Sequence, residues 1–97
     1  MNIGGFYVTS FIPGRLRLKV EEIKRSPDFG VRVRDTLARV PGIRRVELNA
    51  STGSVLVQYD AAVVIRGDGR HVLTNTIREL FPAADIVLLL SWLDRAS

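Results

Sequence analysis

Apolar and polar residues alternate with a period of two through two neighbouring stretches of this chain. Val46 and Leu48 alternate with Arg45, Glu47 and Asn49, and Val55, Val57 and Tyr59 alternate with Ser54, Leu56 and Gln58. Each stretch is a strand with one apolar face. Asn49 to Gly53 supplies turn residues between them, so the pair reads as a hairpin. Upstream, Phe6 to Ile12, the Pro13-Gly14 pair and Arg15 to Val20 read as one long strand bent at Pro-Gly, with Leu16, Leu18 and Val20 facing the core.

Helical periodicity fills the intervals. Ser26 as N-cap, Pro27 at the first helical position and Asp28 at the positive end of the dipole open a helix that ends at Pro41-Gly42. Its buried stripe is Phe29, Val33, Leu37 and Val40, with Asp35 and Arg39 as an outward i,i+4 pair. After a connection over 61–66, Asp68 in Gly67-Asp68-Gly69 caps a second helix with the stripe Leu73, Ile77, Leu80 and Phe81, stopped by Pro82. Ile86 to Leu90 suits a buried last strand, while Ile86, Leu89, Leu90 and Leu93 also fit a short amphipathic helix. With the strand, the order is the β-α-β-β-α-β of an α+β ferredoxin-like sandwich, two helices on one face of an antiparallel sheet, in a single domain over 1–97.

Strand parity then assigns the uncovered sheet face. It carries Arg15, Arg17 and Lys19 from the first strand, Arg45 and Glu47 from the second, and Ser54, Leu56 and Gln58 from the third. Charge sharpens this picture. Residues 1–45 hold ten Lys and Arg against four Asp and Glu, and twelve of the fourteen basic residues in the chain are Arg. Guanidinium groups favour planar, bidentate contact with carboxylates or phosphates. Arg15, Arg17, Lys19 and Arg45 are therefore the candidate partner- or anion-binding residues, with Glu47 offsetting part of their repulsion; the plainer reading is that they keep an outward face soluble.

Residues 37–60 resemble the helix-to-hairpin core of heavy-metal-associated (HMA) domains, through Leu37, Gly42, Ile43, Val46, Leu48, Asn49, Gly53, Val55, Val57, Tyr59 and Asp60. Members that carry copper or zinc hold the ion on Cys-x-x-Cys at the start of the preceding helix. This chain has no cysteine, and that pair would fall on Pro27 and Gly30, neither of which can ligate. Pro13-Gly14-Arg15-x-Arg17-x-Lys19 resembles the opening strand of a cysteine-free HMA subgroup. That subgroup includes N-terminal domains of metal-translocating P-type ATPases and small proteins encoded beside them, some associated with iron storage in ferrosomes. Some relatives place His four residues before that glycine, where this chain has Ser10.

The resemblance implies a non-catalytic accessory domain in bacterial metal homeostasis, with iron as the metal served and no cofactor of its own. It would work by contact with a metal-transport ATPase or another acidic protein, or with an anionic membrane surface, in the cytoplasm or at the periphery of a membrane or ferrosome. Composition is consistent with this, since no apolar run approaches a membrane span and no signal pattern opens the chain.

Other chemistries have little material. No Ser/His/Asp or Cys/His set, P-loop or GxGxxG occurs. His71 is the only histidine; one axial haem ligand, or a share in a site across a homodimer, is the most it supplies. Glu21-Glu22 reads as a solvated loop pair, and Gly67-Asp68-Gly69 as a turn and cap before it reads as an anion site. RNA-recognition modules share the fold but need aromatics on the central strands, where Arg15, Arg17, Leu56 and Gln58 stand, so only loose electrostatic nucleic-acid binding is an alternative. Leu56 on the open face and Trp92 near the C-terminus are candidate interface residues, Trp92 serving otherwise as core closure.

Overall fold

The computed structural model describes residues 1–96; the last residue of the expected 1–97 domain lies outside them. The chain runs β1 (Tyr7–Ile12), β2 (Arg15–Lys19), α1 (Glu21–Arg25), α2 (Pro27–Ala38), β3 (Ile43–Asn49), β4 (Ser54–Tyr59), α3 (Ala61–Val64), α4 (Gly69–Leu80) and α5 (Ile86–Ala96). The four strands form one antiparallel sheet in the order β1-β2-β4-β3.

An α+β sandwich on a four-stranded antiparallel sheet is the class expected, but two elements differ from the sequence reading. The bend at Pro13-Gly14 is a two-residue turn that folds the supposed long strand back on itself, pairing Ile12 with Arg15 and Phe11 with Leu16. Proline presets the first turn position, and Gly14 adopts φ +83°, which a Cβ would disfavour. β1 thereby takes the sheet edge beside β2 that the last strand was expected to fill. With that edge occupied from the N-terminal side, Ile86 to Leu90 does not join the sheet and forms the start of α5. Asp85 opens this helix, its Oδ1 accepting from the Leu88 N–H at 3.0 Å and its C=O from Leu89 N–H at 3.0 Å.

The core lies between the sheet's inner face and the helices. Leu18, Val55, Val57 and Tyr59 meet Val33 and Leu37 of α2, Ile77 and Leu80 of α4, and Leu89 and Leu93 of α5, all buried. The predicted stripe of α2 holds, with Val33, Leu37 and Val40 buried and Phe29 half-buried beside Phe81, ring centroids 5.8 Å apart.

Smaller differences follow from local competition. Glu21-Glu22 lies in α1 and not in a loop, because Ile23 is fully buried and anchors that turn. Asp35 pairs with Arg34 at 2.9 Å, not with Arg39. Neither Ser26 nor Asp68 makes a side-chain capping bond, whereas Asp60, just before the expected connection, caps α3 by accepting from Ala62 N–H at 3.0 Å.

Candidate functional site: the open face of the sheet

The hairpin between β3 and β4 is closed by Asn49, whose C=O accepts from Gly53 N–H at 2.9 Å and whose Oδ1 accepts from Ser51 N–H at 3.1 Å. This fixes the register, and register arranges the open face in three cross-strand rows. Arg15 stands beside Gln58, which stands beside Arg45; Arg17 beside Leu56, then Glu47; Lys19 beside Ser54, then Asn49. β1 extends each row by one residue, Ile12 next to Arg15, Ser10 next to Arg17 and Tyr7 next to Lys19. All four candidate basic residues and Leu56 therefore share one surface, as parity predicted.

Their electrostatics divide them. Arg45 is taken up by Glu47 at 2.7 Å, so Glu47 offsets its own strand and not β2. Lys19 lies 3.6 Å from Glu21, which also holds Lys24 at 2.9 Å. The hydrogen bond from Lys24, with the charges of Lys24 and Lys19, draws the Glu21 carboxyl below the usual range. Arg15 and Arg17 are exposed, and neither makes an ion pair or a side-chain hydrogen bond among the described residues. Two guanidinium groups thus stand two residues apart on a central strand without an internal counter-charge.

Two shallow grooves meet at Arg17 and Leu56. One is lined by Ser10, Ile12, Arg15, Arg17 and Leu56, the other by Arg17, Glu47, Asn49, Thr52, Ser54 and Leu56 among others. Ile12, 56% exposed, is an apolar member of the face that sequence reasoning missed. A strand continuing through Pro13-Gly14 puts Ile12 in phase with half-buried Leu16 and buried Leu18; the turn breaks that phase. Reading Pro-Gly as a hairpin turn would have found it.

The remaining candidates lie elsewhere. Trp92 is half-buried on the opposite side of the sheet, edge-on to Phe11 with ring centroids 5.2 Å apart and planes at 78°, and it lines the apolar interior with Leu89 and Leu93. It shares no surface with Leu56. His71 is exposed near the start of α4, its Nε2 3.2 Å from Asn75 Nδ2, in a groove that also holds Arg70 and Arg78. Asp68 lines the same groove, and Arg70 is paired with Asp94 at 2.6 Å. Among the described residues no group of three or more His, Cys, Asp or Glu side chains converges.

The position at which metal-carrying relatives place their thiolates is built differently. Pro27 is the first residue of α2, and Gly30 is buried against Ile23 and Leu48; a Cβ there would lie 2.9 Å from Ile23 Cγ2. Helix α1 closes over this turn, leaving no room for a ligating side chain at residue 30.

No helix among the described residues is long and apolar enough to cross a membrane. The manganese-exporting P-type ATPase of Mycobacterium leprae is 37% identical over 54 residues, which are 56% of this chain and 7% of that protein. The chain thus corresponds to a small fraction of that relative's length, and no solved structure matches it. The family model for heavy metal associated domain 2 matches residues 2–82, from the segment before β1 to the proline after α4, and the chain belongs to that family.

Proposed function

We propose that this protein is a non-catalytic contact domain of metal homeostasis, which docks the Arg15, Arg17, Lys19 and Arg45 face onto an acidic surface of a metal-transport P-type ATPase. The observation that carries the reading is the pair Arg15 and Arg17, exposed, without an internal counter-charge and adjoining Leu56 and Ile12. An acidic partner relieves the repulsion between the two guanidinium groups and covers the apolar residues beside them. The thiolate position, occupied by Pro27 and Gly30, supports contact and not coordination as the working chemistry. The partner, and not this face, selects the metal: the cysteine-free subgroup implies iron, and the Mycobacterium leprae relative is named for manganese. The domain would act in the cytoplasm, at the periphery of the membrane or ferrosome that holds the transporter.

The test is the double variant Arg15→Ser/Arg17→Ser in a pull-down with the cognate ATPase at low and high salt. Both residues point away from the core, so circular dichroism and thermal midpoint stay those of the parent. Binding falls, and the parent's own binding declines as ionic strength rises. Equal capture of parent and variant at low salt would overturn the reading. Loss of binding to anionic vesicles with ATPase capture unchanged would move the partner to a lipid surface.

A further inference from the structure

The sheet has two outer edges, and they are unequally protected. At β1 the edge is partly closed by the chain itself: Val8 N–H donates to Met1 C=O at 2.8 Å, the Met1 amino group donates to Val8 C=O at 3.0 Å, and a bulge follows between Val8 and Ser10. At β3 no other segment among the described residues pairs with the outer edge of Val46 and Leu48.

Hydrogen-bond phase shows which β3 groups face outward. Tyr59 N–H donates to Gly14 C=O on the β2 side, and Asp60 N–H donates to Gly42 C=O on the β3 side. Alternation along β4 therefore turns Leu56 and Gln58 toward β3, where their partners are Glu47 and Arg45. Val46 and Leu48, lying between and beyond those partners, direct their backbone N–H and C=O away from the sheet, and neither has a backbone partner on that side among the described residues. Such an edge is a template for another strand.

We propose that the β3 edge pairs antiparallel with the β3 edge of a second copy of this chain, joining two four-stranded sheets into one. In the register with Val46 on the two-fold axis, outward backbone groups meet outward backbone groups. Arg45 of each copy then lies opposite Glu47 of the other, so the exposed Arg45–Glu47 pair extends into an alternating row of four charges. The competing register, centred on residue 47, sets Glu47 directly against Glu47 and is disfavoured by like charge. Self-complementarity of this kind is what a two-fold contact requires. It leaves the Arg15 and Arg17 surfaces of both copies free, while Arg45, which the docking reading also enlists, is shared between the two contacts; Arg15→Ser/Arg17→Ser therefore tests docking without touching the dimer. The contact is a single strand edge, at the low end of interface sizes, below roughly 1,200 Å², so the dimer is reversible and concentration-dependent.

Sedimentation of the full chain over a concentration series tests this. Mass rises toward that of a dimer for the parent, and less so at high salt. Arg45→Glu or Glu47→Arg alone weakens association by roughly tenfold, because two symmetric attractive pairs become repulsive. The double variant Arg45→Glu/Glu47→Arg restores it, which the register centred on residue 47 does not allow. Val46→Pro removes the outward N–H at the axis and yields a monomer, and proline is tolerated at an outward-facing edge position. A parent that stays monomeric at every concentration, a swap that fails to rescue, or a folded Val46→Pro chain that still dimerises would each overturn the proposal.

Discussion

Gly30 of α2 and Ile23 of α1 are packed so closely that a Cβ on Gly30 would lie 2.9 Å from Ile23 Cγ2, with Leu48 Cδ1 at 3.1 Å on the other side. Ile23 is fully buried, so it can yield only by displacing its neighbours in the core. In an unobstructed helix, Gly→Ala gains about 1 kcal/mol of propensity. Here overpacking, typically about 1–3 kcal/mol, opposes that gain. Gly30→Ala is expected to lower stability by on the order of 1 kcal/mol in urea unfolding, and Gly30→Cys by more. Pro27→Cys/Gly30→Cys would accordingly acquire no zinc site without loss of the α1 contact; a stable variant with tight zinc binding in a chelator competition would refute this account of the turn.

Phe11 and Trp92 bind the last helix to the first strand. Their edge-to-face geometry, centroids 5.2 Å apart, adds to area burial for a residue that is half-buried. Trp92→Ala is expected to cost about 2–3 kcal/mol, below the range for a wholly buried Trp. A double-mutant cycle with Phe11→Ala should show a coupling of about 1 kcal/mol in equilibrium unfolding. Additive losses would mean that the two rings touch without interacting.

Arg70 of α4 donates to Asp94 of α5 at 2.6 Å, and that hydrogen bond holds the Asp94 carboxyl below its usual range. A carboxylate with a depressed folded-state pKa contributes stability that is fully present above its unfolded value, about 3.9, and is lost as pH falls through the folded one. Asp94→Asn should therefore lower the denaturation midpoint slightly at neutral pH, since the pair is exposed and solvent screens it. The gap between variant and parent should close in acid. Trp92 emission reads the transition in the same helix, and a gap that stays constant with pH would show that the ion pair is not its source.

Strand parity was legible because it is local. Alternation in β2, β3 and β4 needs only neighbouring residues, and it placed Arg15, Arg17, Lys19, Arg45 and Leu56 on one face as the sheet does. The helix stripes and the Asn49–Gly53 turn were legible for the same reason, and the absence of cysteine alone removed thiolate chemistry. What tertiary structure decided was competition among distant segments. Whether residues 6–20 make one strand or two depends on which segment claims the edge beside β2, and once β1 claims it the segment after Pro82 folds as a helix beneath the sheet. Ion pairing followed the same logic: Glu47 could have met Arg17 across the sheet, but Arg45 on its own strand reaches it at 2.7 Å, and that choice leaves Arg15 and Arg17 open. Periodicity records which side of an element is apolar; only the assembled sheet settles which neighbour each side meets, because pairing energy depends on partners far apart in the chain.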